Sequence, residues 1–166
     1  MESRPNLKYL IAGKYDVDEK GRLDEIITKA GLQNNVVFAG FVAEEDIAAY
    51  FNIADVYIMP STGEGFGIVF IEALFFGKPV IAGNLDGSVD ALAGGQFGLL
   101  VNPDSIEDIS KSIVTVVNNQ LSFVPDSKQV EKNFGFRNYK SKLKELFFED
   151  SGSANKQKAV TTATVE

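Results

Sequence analysis

Short apolar runs alternate with amphipathic stretches along most of the chain, the pattern of βα units feeding a mostly parallel sheet. Leu7 to Ala12 predicts a buried strand closed by Gly13. A charged loop, Lys14 to Lys20, leads into a helix from Arg22 to Ala30, with Leu23, Ile26 and Ile27 on one face and Gly31 as the stop. Val36 to Ala39 reads as the next strand, Ala43 to Asn52 as a helix with Ile47, Tyr50 and Phe51 inward, and Asp55 to Met59 as a strand closed by Pro60. Gly65-Phe66-Gly67 opens a strongly apolar helix to Phe76, after which Gly77-Lys78-Pro79 turns into a strand from Val80 to Ala82.

Gly98 to Val101 reads as a short strand ending at Asn102-Pro103. Ser105 follows as an N-cap, with Asp108 three residues on, for a helix carrying Ile106, Ile109, Ile113 and Val117. A second helical region from Ser127 to Phe148 should be interrupted at Gly135. From Ser151 to Glu166 the residues are mostly Ser, Thr, Ala and Lys with almost nothing to bury, which predicts a disordered tail. The expected class is therefore α/β, a Rossmann-like parallel sheet flanked by helices over residues 1–150, with 151–166 as the tail.

Composition narrows the chemistry. In 166 residues there is no cysteine and no histidine. That excludes disulfides, thiolate nucleophiles, a Ser-His-Asp triad, an imidazole base and the usual kinds of zinc site. A net charge of −7 argues against wholesale binding to a nucleic-acid backbone or to anionic lipid. No apolar run approaches the roughly 18 to 20 residues that a membrane span requires. The first residues, Met1 to Pro5, lack a signal-peptide pattern, so a cytoplasmic location is expected.

The informative segment is Met59-Pro60-Ser61-Thr62-Gly63-Glu64-Gly65-Phe66-Gly67-Ile68-Val69-Phe70-Ile71-Glu72-Ala73-Leu74. It runs from a strand end through a glycine-rich turn into a helix, the place where open α/β sheets bind ligands. Three glycines let backbone amides approach a ligand closely, and the helix N-terminus behind them offers N–H groups to an anion, so the segment can cradle a diphosphate. Neither common nucleotide motif matches, since there is no Gly-Lys-Ser/Thr ending and no dinucleotide fingerprint. Glu72 sits two turns inside an otherwise apolar helix, where a buried carboxylate needs donors. Glu64 and Glu72 can face one cleft. Alternatively Glu64 is a solvated loop residue and Glu72 is satisfied by Lys78 or a backbone amide.

The setting Pro-Ser-x-x-Glu-Gly-Phe-Gly-x-x-x-x-Glu-Ala, followed by Gly-Lys-Pro-Val-Ile-Ala, resembles the signature of retaining glycosyltransferase family 4, which has the GT-B fold. The resemblance extends from about Leu7 to Asn118, through Tyr9-Leu10-Ile11-Ala12-Gly13, Val36 to Val42, Tyr50, Ala54-Asp55-Val56 and Gly98 to Pro103. Phe134-Gly135-Phe136 with Tyr139 resembles the family's closing region, where a helix crosses back to the other domain.

The resemblance implies a transferase that moves a sugar from a nucleotide diphosphate sugar to a glycan or lipid acceptor. In that reading Glu72 accepts hydrogen bonds from the ribose hydroxyls. Glu64 faces the donor sugar and helps stabilise an oxocarbenium-like transition state. Gly65 belongs to the glycine-rich turn, the amides of Phe66 and Gly67 contact the sugar, and those of Ile68 and Val69 meet the diphosphate. Gly40, Phe41 and Val42 present backbone groups to the base. Retention is attributed in the family to attack on the face from which the diphosphate departs, with that phosphate as base, so neither a histidine base nor a metal or other cofactor is expected.

In Gly83 to Asp90, Asp86-Gly87 and Asp90 stand where the family has a Gly-Gly turn and a glutamate. Asp86-Gly87 is either a structural turn or a contact to the donor sugar or the N-terminal half.

The chain matches the C-terminal, donor-binding half of a GT-B enzyme from its second strand onward, without the first strand and the Arg and Lys that neutralise the donor diphosphate. Lys14, Lys20 and Arg22 match a later loop, where a solvated role is expected. Weak or undetectable nucleotide binding by the chain alone follows, as does a partner supplying the acceptor half, or self-association. Without that strand, Leu7 to Ala12 and Asp55 to Met59 must pair directly, leave a gap or recruit another chain. Membrane association would come only through the missing half or a lipid acceptor. The alternative is a non-catalytic truncated or split module that docks a partner protein. Another GT-B enzyme fits less well, because a phosphorylase needs a pyridoxal-binding lysine motif and an epimerase a histidine.

Overall fold

The computed structural model describes residues 6–148, so the predicted tail lies outside the described residues. The chain divides into two compact units, Met1–Tyr50 and Phe51–Glu166.

In the first unit, β1 (Tyr9–Ala12) pairs in parallel with β2 (Val36–Gly40), joined by α1 (Val17–Lys29). Leu10, Ile11, Leu23, Ile27, Val36 and Phe38 are half-buried, while Ile26 is half exposed. The helix starts five residues before the expected Arg22, and much of the expected charged loop is helical. Asp16 is the reason: its side chain caps the helix by accepting from the amides of Asp18 (2.9 Å) and Glu19 (3.1 Å). Acidic Asp18 and Glu19 then sit at the positive end of the helix dipole, and the exposed pairs Lys20–Asp24 and Arg22–Glu19 line one turn.

In the second unit, β3 (Tyr57–Met59), β4 (Val80–Gly83) and β5 (Leu99–Val101) form a parallel sheet in the order β3-β4-β5. β4 is central and buried along its whole length, which is why its run Val80-Ile81-Ala82 is apolar without alternation. α3 (Ile68–Phe75) connects β3 to β4 and buries Phe70, Ala73 and Leu74. Phe51, the buried residue of α2 (Glu44–Ile53), stacks on Phe76 at 5.1 Å between ring centroids.

A short α4 (Ser88–Ala91) follows β4 where only a turn was expected. β3 is two residues shorter than predicted, and the Asp55 carbonyl instead accepts from Gln120 Nε2 at 2.9 Å. α5 (Ile106–Asn118) begins at its predicted Ser105 cap, whose hydroxyl accepts from the Asp108 amide at 3.1 Å. Ile109 and Ile113 of the expected inward face pack against the core. Val116 is fully buried against Ile81 and Val101, whereas Ile106, at the first helical position, is 83% exposed. Burial of each such aliphatic side chain is worth about 1.5–3 kcal/mol. α6 (Ser127–Phe134) and α7 (Phe136–Phe148) are separated at Gly135, as the sequence predicts, and Phe134 packs edge-on against Phe97 at 5.6 Å.

Each unit thus holds its own parallel sheet. Among the described residues no helix is long and apolar enough to cross a membrane.

Candidate functional site

β3 and β4 are neighbouring parallel strands, so the loops leaving their carboxyl ends start side by side. The first loop contains Ser61 to Gly67 and the second contains Asn84 to Gly87. They are joined by a compact set of bonds. The Asp86 carboxylate accepts from the Glu64 amide (2.8 Å) and the Ser61 hydroxyl (3.0 Å) through Oδ2, and from the Ser88 amide (3.0 Å) through Oδ1. The Gly87 amide returns a bond to the Glu64 carbonyl at 3.0 Å.

Two glycines make this approach possible. A side chain on Gly87 would run into the Gly65 and Glu64 carbonyls, and one on Gly83 into the Ser61 carbonyl. Asp86-Gly87 therefore serves the structural role weighed for it, and that role spans two loops.

The Asp86 carboxyl is pulled down to about 2, first by the Ser88 hydroxyl beside it and then by the Glu64 amide, with smaller help from the Ser88 amide and the Ser61 hydroxyl. The Ser88 hydroxyl is fully buried and, as placed, completes no hydrogen bond of good geometry. Rotation toward the neighbouring Asp86 carboxylate would satisfy it. Asp90, in α4, is exposed.

Gly67 closes the first loop as the N-cap of α3, in the left-handed region at φ 84° and ψ 63°. It is buried against Phe70, and a β-carbon there would overlap the phenyl ring and approach Glu64 Cγ to 3.1 Å. Because the cap is a glycine, it offers no side-chain acceptor to the helix's first amides, and among the described residues no side chain bonds the amide of Ile68 or Val69 at the amino end of α3. Gly65 is exposed and Phe66 is partly so; Glu64 is half-buried.

Glu72 is placed differently from expectation. The buried face of α3 is Phe70, Ala73 and Leu74, and a residue two positions after Phe70 lies about 200° round the helix. Glu72 is accordingly exposed, on the outward side with Ile68 and Phe75, and requires no donor from the protein. Lys78, the partner considered for it, instead donates to the Asn52 carbonyl at 3.2 Å.

Gly40, Phe41 and Val42 belong to the first unit, at the carboxyl end of β2. Gly40 is left-handed at φ 71°, and its carbonyl accepts from the Gly13 amide at 2.8 Å. Phe41 is 71% exposed, with Lys14 Nζ 5.5 Å from its ring centre. Lys20 stands over the Phe38 ring and pairs with Asp24, while Arg22 pairs with Glu19. Among the described residues no group of three or more acidic side chains is placed to hold a metal ion.

A family model described as glycosyl transferases group 1 matches residues 1–135. The chain belongs to the group 1 glycosyltransferases. A glycosyltransferase of Methanocaldococcus jannaschii is 36% identical over 106 residues, covering 62% of this chain and 27% of that protein. A D-inositol 3-phosphate glycosyltransferase of Paenarthrobacter aurescens is 33% identical over 117 residues, covering 66% and 29%.

The HepE protein of Anabaena, solved in complex with UDP, superposes with a TM-score of 0.72 at 26% identity over 86% of this chain and 41% of that one. The same protein has been solved with UDP-glucose, with a TM-score of 0.71 at 28% identity over 78% and 37%. This group 1 chain shares the fold of GT-B enzymes and spans less than a third of the length of those two curated relatives.

Proposed function

We propose that this group 1 chain is the donor-binding part of a cytoplasmic, retaining family 4 glycosyltransferase. It would work with an acceptor-binding half on a glycan or lipid acceptor. The observation that carries the reading is the glycine-capped start of α3 at the carboxyl end of β3. An uncapped helix N-terminus behind a glycine loop suits a diphosphate, contributing about 0.3–1 kcal/mol at an exposed position from the dipole alone.

In this reading the amides of Ile68 and Val69 hold the diphosphate, and those of Phe66 and Gly67 hold the sugar. The exposed Glu72 carboxylate accepts from the ribose hydroxyls, and Glu64 faces the sugar. The bond from the anomeric carbon to the phosphate oxygen breaks. A bond from the acceptor oxygen forms on the same face, and the acceptor's proton passes to the departing phosphate. Positive charge that develops on the sugar ring is offset by Glu64. The protein's own contribution is orientation and charge, with no protein base and no metal required.

Calorimetric titration with a panel of nucleoside diphosphate sugars, UDP-glucose first, tests this. Glu72→Ala should weaken donor binding about tenfold or more, as expected for lost hydrogen bonds to a charged group, and leave thermal stability unchanged. Equal affinity in the variant would remove the ribose role from Glu72. Absence of binding to every donor would favour a non-catalytic module that docks a partner.

A further inference from the structure

We propose that Asp86 is a positioning residue: it fixes the backbone of the glycine-rich loop at Glu64 and so pre-sets the loop for the donor. The inference rests on the donor reading of that loop.

Three observations carry it. One carboxylate on the β4–α4 connection holds both the start and the middle of the β3–α3 connection, accepting from the Ser61 hydroxyl and from the Glu64 amide 22 residues away in sequence. The return bond from the Gly87 amide to the Glu64 carbonyl fixes the second polar group of the same residue. With its amide and its carbonyl both held, Glu64 has little freedom to rotate about its backbone. The Asp86 carboxylate is in turn anchored by the Ser88 amide at 3.0 Å.

The steric fit at Gly87 adds the third observation, since the two loops touch so closely that no side chain fits between them. Otherwise the loop is rich in glycine and has the largest conformational freedom to lose. A charged acceptor bonded to a loop amide offsets part of that loss before any ligand arrives, which is how pre-organisation raises affinity. A longer or apolar side chain at this position would release the loop without touching the donor.

Amide hydrogen exchange and amide spectra of the whole chain provide the test. In Asp86→Ala the Glu64 amide should exchange about 10- to 100-fold faster, the loss expected for a charge-assisted hydrogen bond. The resonances of Gly63, Gly65 and Gly67 should move, while β4 amides keep their protection. Asp86→Asn, which retains an oxygen in the same place, should restore part of the Glu64 protection. Unchanged exchange at Glu64 in both variants would overturn the proposal. Should Asp86→Ala lose β4 protection, and hence its fold, Asp86→Asn and Ser61→Ala decide: Glu64 exchange equal to wild type in both overturns it.

UDP-glucose and GDP-mannose are then titrated into the same samples. If either shifts the wild-type loop amides, Asp86→Asn should bind that donor at least about tenfold more weakly, and equal affinity counts against the proposal. If neither moves the wild-type loop, the donor reading fails for this chain by itself, and the exchange result alone still shows whether Asp86 holds Glu64.

Discussion

Gly67 is the residue on which the candidate site's shape depends most directly. A non-glycine residue in the left-handed region costs roughly 1–2 kcal/mol, and at this position the new β-carbon also meets the buried Phe70 ring. Gly67→Ala should therefore lower the urea midpoint by the equivalent of about 2 kcal/mol or more. A variant of wild-type stability would show that neither the backbone angle nor the ring contact constrains the turn. Glu72 carries the opposite lesson. Its apolar neighbours in sequence suggested burial, yet three of them take the inward face of α3 and leave the carboxylate outside. Counting around the helix from Phe70, once the inward face is known, places Glu72 without any tertiary contact.

At the scale of elements, the N-caps explain where helices begin. Ser105 was legible because a strong apolar periodicity follows it. Asp16 was not, because the residues after it are charged and hide the helix that they nevertheless form through capping and i,i+3 and i,i+4 pairs. Asp16→Ala should destabilise the chain by about 1 kcal/mol, read as a lower denaturant midpoint, with amide protection lost first in the turn after Val17. If that turn kept its protection, the cap would have been assigned too much weight. The available signal was an Asp with Glu three residues on, the spacing of a capping box, in a stretch whose charge pattern resembled a loop.

For the molecule as a whole, acid sensitivity follows from Asp86. Its folded value of about 2 lies below its ordinary 3.8, so the folded state binds its proton less readily than the unfolded chain does. The stabilisation this provides is fully present above pH 3.8 and is lost as pH falls through about 2. Glu19, lowered by its hydrogen bond to Arg22, acts in the same direction. Thermal melts of Asp86→Asn should fall less steeply with acidification across this window than those of wild type. Parallel curves would mean that the carboxylate is not held in the folded state as its geometry indicates.

The order of βα units, the interruption at Gly135, the Ser105 cap and the glycine-rich turn before α3 were determined by the sequence alone. Each depends on periodicity or turn chemistry within a few residues. Three things were decided only by the tertiary structure: the separation of the strands into two sheets, the start of α1 at Asp16 against its loop-like charges, and the bond from Asp86 to Glu64. The reason is the same for the first and last of these. Which strands lie side by side is a property of the folded sheet, and only adjacency of β3 and β4 brings two loops, distant along the chain, close enough to share one carboxylate.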